Sequence, residues 1–141
     1  MAFDWVGSNQ VVNMAKVLLD TSFILLLASK PLTSIREMED ALGKAELFLL
    51  EDTIKELEAI SKGSSIKRSK FAKLALNFAR KLEHIDYASE GAVDDKILEC
   101  ALEKKLIVAT MDAELKRKLR AIGLPVITLK RDRIMIEGAV F

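Results

Sequence analysis

At 141 residues the chain has the length of one ordinary domain, and half of its residues are apolar, enough for a real core. Charged residues make up 30%, yet the net charge is only +1, which excludes a polycation of the histone-tail kind. A single cysteine, Cys100, and a single histidine, His84, exclude an internal disulfide framework, a cysteine-rich zinc site and a multi-histidine centre within one chain.

Metal chemistry here has to use carboxylate oxygen, which favours Mg²⁺ or Mn²⁺ over Zn²⁺. No secretory signal is visible, and the longest apolar run, Phe23 to Ala28, is too short to span a bilayer. The chain therefore reads as cytoplasmic, with no membrane partner. Amides are scarce: beyond position 13 only Asn77 occurs, and this bias with abundant Lys and Glu resembles thermophile composition. Residues 1–13 differ from the rest and read as an N-terminal extension, with Met14 as the working start and residues 14–141 as one domain. An ordinary variable N-terminus is the competing explanation.

In chain order, Lys16 to Asp20 reads as a first buried strand, and Ser22 to Ser29 as a helix stopped by Pro31. Ser34-Ile-Arg-Glu37 has the pattern of a capping box opening a short helix that ends at Gly43. Glu46 to Leu50 is a second strand. Thr53-Ile-Lys-Glu56 is again a capping-box pattern, with a helix through Ile60. Lys62 to Arg68 is polar and reads as a loop. A helix from Ser69 to Leu82 follows, with Phe71, Leu74, Ala75 and Phe78 on its inner face. His84 to Tyr87 reads as a short strand. Asp94 to Lys104 is an amphipathic helix with Ile97, Leu98, Ala101 and Leu102 inward. Leu106 to Thr110 is the clearest strand, Asp112 to Ala121 a helix stopped by Gly123, and Pro125 to Leu129 another strand. Arg133 to Glu137 adds a last one. Strands alternating with helices predict right-handed βαβ units: an α/β fold, a Rossmann-like three-layer α/β/α sandwich with a mostly parallel central sheet. Neither GxGxxG nor GxxxxGK[ST] occurs, so dinucleotide and P-loop readings lack their main support.

Four acidic places recur at equivalent points: Asp20, Glu56, the pair Asp94-Asp95, and Asp112. Strand ends of a parallel sheet face one crevice, so the four can converge. Converging carboxylates repel, at about 4 kcal/mol per close pair for an effective dielectric near 20. A divalent metal removes that cost and points to phosphoryl chemistry. Each acid also has a plainer reading. Asp20 and Asp112 can be N-caps, Glu56 can close the Thr53 capping box, and Asp94-Asp95 can serve the helix dipole. Cys100 reads as core, and His84 as a residue without a chemical role.

The order strand–Asp, helix–Glu, Asp pair at a helix start and strand–Thr-x-Asp resembles the PIN-domain family of metal-dependent nucleases. The matching segments are Leu18-Leu19-Asp20-Thr21-Ser22, Ile54-Lys55-Glu56-Leu57, Asp94-Asp95-Lys96-Ile97 and Val108-Ala109-Thr110-Met111-Asp112. The stretch from Asp112 to Arg120, followed by Gly123-Leu-Pro-Val-Ile, is similar to the end of archaeal-type PIN domains, and the likeness spans about Lys16 to Leu129. It implies an endoribonuclease in which Asp20, Glu56, Asp94 and Asp112 hold one or two Mg²⁺ or Mn²⁺ ions. Asp94 is preferred to Asp95 because an aliphatic residue, Ile97, follows three positions on; Asp95 is then a substitute ligand. Thr110 would orient a carboxylate or a water. The family often has Asn where this chain has Met111.

Two basic clusters accompany the acids. From Ser61 to Leu82 there are seven basic residues and no acid, among them Lys62, Lys67, Arg68 and Lys70. Lys116, Arg117, Lys118 and Arg120 crowd a later helix. Such charge either covers a solvated helix face or contacts the phosphates of RNA. Within the family the Asp94-Asp95 pair and Lys116-Arg117-Lys118 lean toward ribosomal-RNA processing. VapC-type toxins, which pair with an antitoxin, are the alternative. A homodimer and a ribosome-assembly partner are further expectations of the resemblance. A non-catalytic RNA-binding module keeps the same fold. A phospho-receiver domain fits less well, because its acidic pair belongs after the first strand.

Overall fold

The computed structural model describes residues 14–29, 31–63, 65–131 and 133–139. The expected N-terminal extension lies outside the described residues. The elements are β1 (Ala15–Leu19), α1 (Thr21–Ser29), α2 (Pro31–Leu42), β2 (Ala45–Leu50), α3 (Glu51–Ser61), α4 (Ile66–Ala79), β3 (Glu83–Ile85), α5 (Val93–Lys104), β4 (Ile107–Ala109), α6 (Ala113–Ala121), β5 (Val126–Lys130) and β6 (Arg133–Glu137). They form one six-stranded sheet in the order β3-β2-β1-β4-β5-β6. All neighbours are parallel except the β5–β6 hairpin.

β1 is central. Val17 stands opposite Leu47 on one side and Ile107 on the other. Val17, Leu18 and Leu19 are fully buried, as expected of a strand covered on both faces. Their alternation divides the core. Val17 and Leu19 join Phe23, Ile24, Leu49, Leu57 and Ala75 beneath α1 to α4. Leu18 joins Ile97, Cys100, Val108, Leu115 and Leu119 beneath α5 and α6. Cys100 is thus a core residue.

The order of the sheet also locates a crevice. From β1 the chain builds outward through β2 and β3, then returns to β4 on the opposite side of β1. The connections leaving β1 and β4 diverge, and the carboxyl ends of these two strands flank the topological switch point where open α/β sheets bind ligands. Among the described residues no helix is long and apolar enough to cross a membrane.

Several boundaries differ from the sequence reading. Neither capping box exists. α2 starts at Pro31, which leaves Ser34 inside the helix and buried. α3 starts at Glu51 directly after β2, so Thr53 and Glu56 are interior residues of that helix. Its first turn carries Glu51 and Asp52, which favour the positive end of the helix dipole without a side-chain cap. Helix α4 starts three residues early, capped by Ser65, whose Oγ accepts from the Arg68 N–H. Its buried face is Ala72, Ala75, Leu76 and Ala79, so of the expected face Ala75 is in the core and Phe78 is half-buried against it. α4 packs on both α3 and α1, and small side chains let three helix backbones come close. Phe71 and Leu74 are turned outward, 40% and 48% exposed. In α5, Leu98 is half-buried and Leu102 faces solvent.

Candidate active site

Asp20 follows β1 directly and remains 8% exposed. Its main chain does the capping: its carbonyl accepts the N–H groups of Phe23 and Ile24 at 3.0 Å each. Its side chain does something else. Oδ2 accepts from Ser22 Oγ and from Thr110 Oγ1, both at 2.8 Å. Among the described residues both hydroxyls land on Oδ2, which leaves Oδ1 free for another ligand. Each hydroxyl also accepts a main-chain N–H from the loop after β4. Met111 N donates to Ser22 Oγ at 2.9 Å, and Asp112 N donates to Thr110 Oγ1 at 3.0 Å. Asp20 and the β4–α6 loop are therefore fixed by the same two side chains.

Asp112 is the N-cap of α6, and its Oδ1 accepts from Glu114 N and Leu115 N at 2.9 and 3.2 Å. The capping reading holds for this residue, yet its charge still acts on the crevice. Asp94 lies in the first turn of α5, half-buried. Burial first, and then the negative charges of Asp20, Asp112 and Asp95, push its carboxyl above the ordinary range, while Lys118 opposes them. Glu56 projects from the middle of α3 and accepts from Thr21 Oγ1 at 2.6 Å. Burial raises its carboxyl, the Thr21 bond counteracts, and Asp20, Asp94 and Asp52 raise it further. Asp20, Glu56, Asp94 and Asp112 are thus linked in one chain of mutual repulsion. Asp95 is exposed, with its carboxyl folded back over Gly91.

Asp52 and Lys96 form an ion pair at 2.8 Å that ties α3 to α5 one turn from Glu56 and two residues from Asp94. Lys96 holds the Asp52 carboxyl below its usual range.

The basic residues separate into groups. Lys67 and Arg68 border a groove of about 580 Å³ between α1 and α4, which opens beside Ser22 and Met111. Lys62 follows α3 and is exposed, and Lys70 lines a different recess with Ile66 and Lys73. Lys116 is paired with Glu137 at 2.6 Å, and Arg117 with Glu114 at 2.5 Å. His84, expected to have no role, joins Glu51 Oε1 at 2.9 Å and the Ala79 carbonyl at 3.1 Å, clipping the end of α4 to the start of α3. Sequence reading overlooked Thr21 and Ser22 as orienting groups, although both directly follow Asp20. It also left Lys118 undistinguished within a basic run.

The oxygens brought together here are those of carboxylates and hydroxyls, a donor set suited to hard dications. Burial is the first cause of the upward shift of Glu56 and Asp94, and the neighbouring carboxylates add to it; a dication relieves that repulsion, so the residues fit Mg²⁺ or Mn²⁺ by their chemistry. Among the described residues no group of three or more Asp, Glu, His or Cys side chains is already drawn together as a ligand cage.

Residues 17–133 match the model of a family described as "PIN like domain". The chain is 33% identical over 126 residues to Ribonuclease VapC4 of Methanocaldococcus jannaschii, covering 85% of this chain and 94% of that protein. It is 29% identical over 132 residues to Ribonuclease VapC9 of Archaeoglobus fulgidus, covering 93% and 94%. In fold it is similar to the PIN domain endonuclease Utp24, with a TM-score of 0.72 at 24% identity over 89% of this chain and 92% of the other. A six-stranded sheet with acids at its switch point, and a match over nearly its whole described length, make this chain a member of the PIN-like domain family.

Proposed function

We propose that the protein is a Mg²⁺- or Mn²⁺-dependent endoribonuclease that hydrolyses RNA phosphodiesters. The observation that carries this reading is the electrostatic linkage of Asp20, Glu56, Asp94 and Asp112 at the β1/β4 switch point. Its sequence relatives are named ribonucleases.

Asp20, Asp94 and Asp112, with Glu56, would hold one or two ions, and Asp95 is the substitute ligand. What such ions supply to phosphodiester hydrolysis is charge stabilisation and water activation. The chain's own contribution is orientation. Ser22 and Thr110 aim the Asp20 carboxylate, and Thr21 aims Glu56. Lys67 and Arg68, with Lys62 and Lys70 behind them, present positive charge to the RNA backbone. Lys116 and Arg117 would have to leave Glu137 and Glu114 to do the same. No covalent nucleophile is required: Cys100 is buried in the core, and His84 is occupied by Glu51 and Ala79.

Asp20→Asn and Asp112→Asn should each abolish metal-dependent RNA cleavage and leave the circular dichroism spectrum unchanged. Undiminished cleavage by both purified variants overturns the assignment.

The biological setting has two readings. The Asp94-Asp95 pair and the Lys116-Arg117-Lys118 run support a role in ribosomal-RNA processing with a ribosome-assembly partner. Kinship with VapC4 and VapC9 supports a toxin paired with an antitoxin. Growth arrest on expression, relieved by a neighbouring gene product, selects the second. Accumulation of unprocessed ribosomal RNA on deletion selects the first.

A further inference from the structure

The groove between α1 and α4 lies next to the carboxylates but belongs to none of them. Leu25 and Leu26 form one wall, Phe71 and Met111 are exposed along it, and Lys67 and Arg68 stand at its rim. It joins the acidic crevice through Ser22, which lines the groove while its hydroxyl bonds Asp20. We propose that this groove is a nucleobase subsite: the base of the nucleotide adjacent to the scissile phosphate stacks on Phe71 against Leu25, Leu26 and Met111, and its phosphates lie on Lys67 and Arg68. The proposal rests on the ribonuclease reading above and adds to it where the strand runs and what holds its base.

Four observations carry it. The seam of α4 is built from Ala72, Ala75 and Ala79, so the core does not need Phe71, and its ring is left on a groove wall. An exposed aromatic face beside positive charge is the usual platform for a single-stranded base. Among the described residues neither Lys67 nor Arg68 is ion-paired, in contrast to Lys116 and Arg117. Among the described residues no carboxylate lines the groove, and its volume of about 580 Å³ lies within the range of small-molecule sites. An amphipathic protein helix also suits an apolar groove. A basic rim continuous with a phosphate-handling crevice favours the nucleic acid.

The test uses the full chain and a fluorescein-labelled single-stranded oligoribonucleotide. Turnover is measured with Mn²⁺, and binding by anisotropy with Ca²⁺ in its place. Phe71→Ala should raise KM and Kd on the order of tenfold and change kcat by less than about twofold. Phe71→Trp should restore both, which a mere packing defect would not predict. Abasic residues scanned through the oligonucleotide should cancel the Phe71→Ala effect at one position beside the cut. Wild-type parameters for Phe71→Ala, equal losses on all abasic substrates, or no binding by the wild-type chain would each overturn the proposal. So would a variant that converts a dimer into a monomer in sedimentation while RNA affinity stays unchanged, since the groove would then belong to a second copy. Cleavage without dependence on Phe71 removes the subsite and leaves the nuclease; binding that depends on Phe71 without cleavage does the reverse.

Discussion

Thr21 Oγ1 lies 2.6 Å from Glu56 Oε1, a hydrogen bond that joins the first residue of α1 to the middle of α3 across 35 positions of sequence. It is the one interaction that opposes the upward pressure of burial and three neighbouring acids on the Glu56 carboxyl. Thr21→Val keeps the shape and removes the donor. Glu56 then takes up its proton at still higher pH, and the acid limb of the pH–rate profile moves upward. Activity near neutrality should fall by roughly tenfold, within reach of one hydrogen bond to a charged group. Thr21→Ser should keep the wild-type profile. An unshifted limb in Thr21→Val would show that the bond does not orient Glu56.

Thr110→Val and Ser22→Ala test the other pair of hydroxyls. Each removes a donor to Asp20 Oδ2 and an acceptor for a loop N–H. Removing an outer partner of a metal-binding carboxylate costs about 10- to 100-fold in metal affinity or activity. Calorimetric titration with Mn²⁺ should show the weakening directly. Thr110→Val should be the more severe, because Thr110 is wholly buried and the stranded Asp112 N–H has less access to water.

Stability should depend on pH with two opposite signs. Glu56 and Asp94 are raised above their ordinary values of 4.5 and 3.8, so the folded state binds their protons more tightly than the unfolded chain does. Lowering the pH from neutrality through their raised folded values therefore stabilises the metal-free protein. Asp52 is lowered, so its contribution is present above 3.8 and is lost as the pH falls through its folded value. Melting temperature without metal should rise on moderate acidification and then fall in strong acid. With saturating Mn²⁺ the rise should vanish, because the ion requires the deprotonated carboxylates. A melting temperature that falls steadily from neutral pH without metal contradicts the account.

Lys96→Met leaves Asp52 without its partner, part-buried and close to Glu56. The loss should be about 1–2 kcal/mol, read from urea unfolding, which exceeds an exposed surface pair because both groups are largely withdrawn from water. Adding Asp52→Asn should recover most of it. Two losses that simply add would show that the pair contributes no coupling.

The sheet and the acids were legible in the sequence because both are local patterns. Val17-Leu18-Leu19 and Ile107-Val108-Ala109 are short apolar runs of the kind a doubly covered strand needs, and Asp20 and Asp112 follow them within three residues. The strand Arg133–Glu137 was legible, but its antiparallel pairing and most of the inward face of α4 were not. Helical spacing marks Phe71 and Leu74 as core as readily as Ala72 and Ala79, and only the close approach of α1 and α3 decides for alanine. The capping boxes misled for a similar reason. Thr53 and Glu56 have the right spacing, but β2 runs straight into α3 and moves the helix start to Glu51. Thr110 was already expected to orient a carboxylate or a water, whereas Thr21 and Ser22 gain part of their meaning from Glu56 and the Met111 N–H, partners distant in sequence.

The divergence of the chain at β1 has a consequence for biosynthesis. Asp20 and Glu56 are made early, on elements that pack together through β2. Asp94 and Asp112 arrive late, and β4 must slide in beside β1 before Thr110 can grip Asp20. A nascent chain that has emerged only through β3 carries half of the carboxylates and none of the loop that steadies them. On the proposed activity, such a fragment is harmless to the messenger and the ribosome that are producing it. The nuclease is armed by the last parallel strands, after translation of its own message is nearly complete.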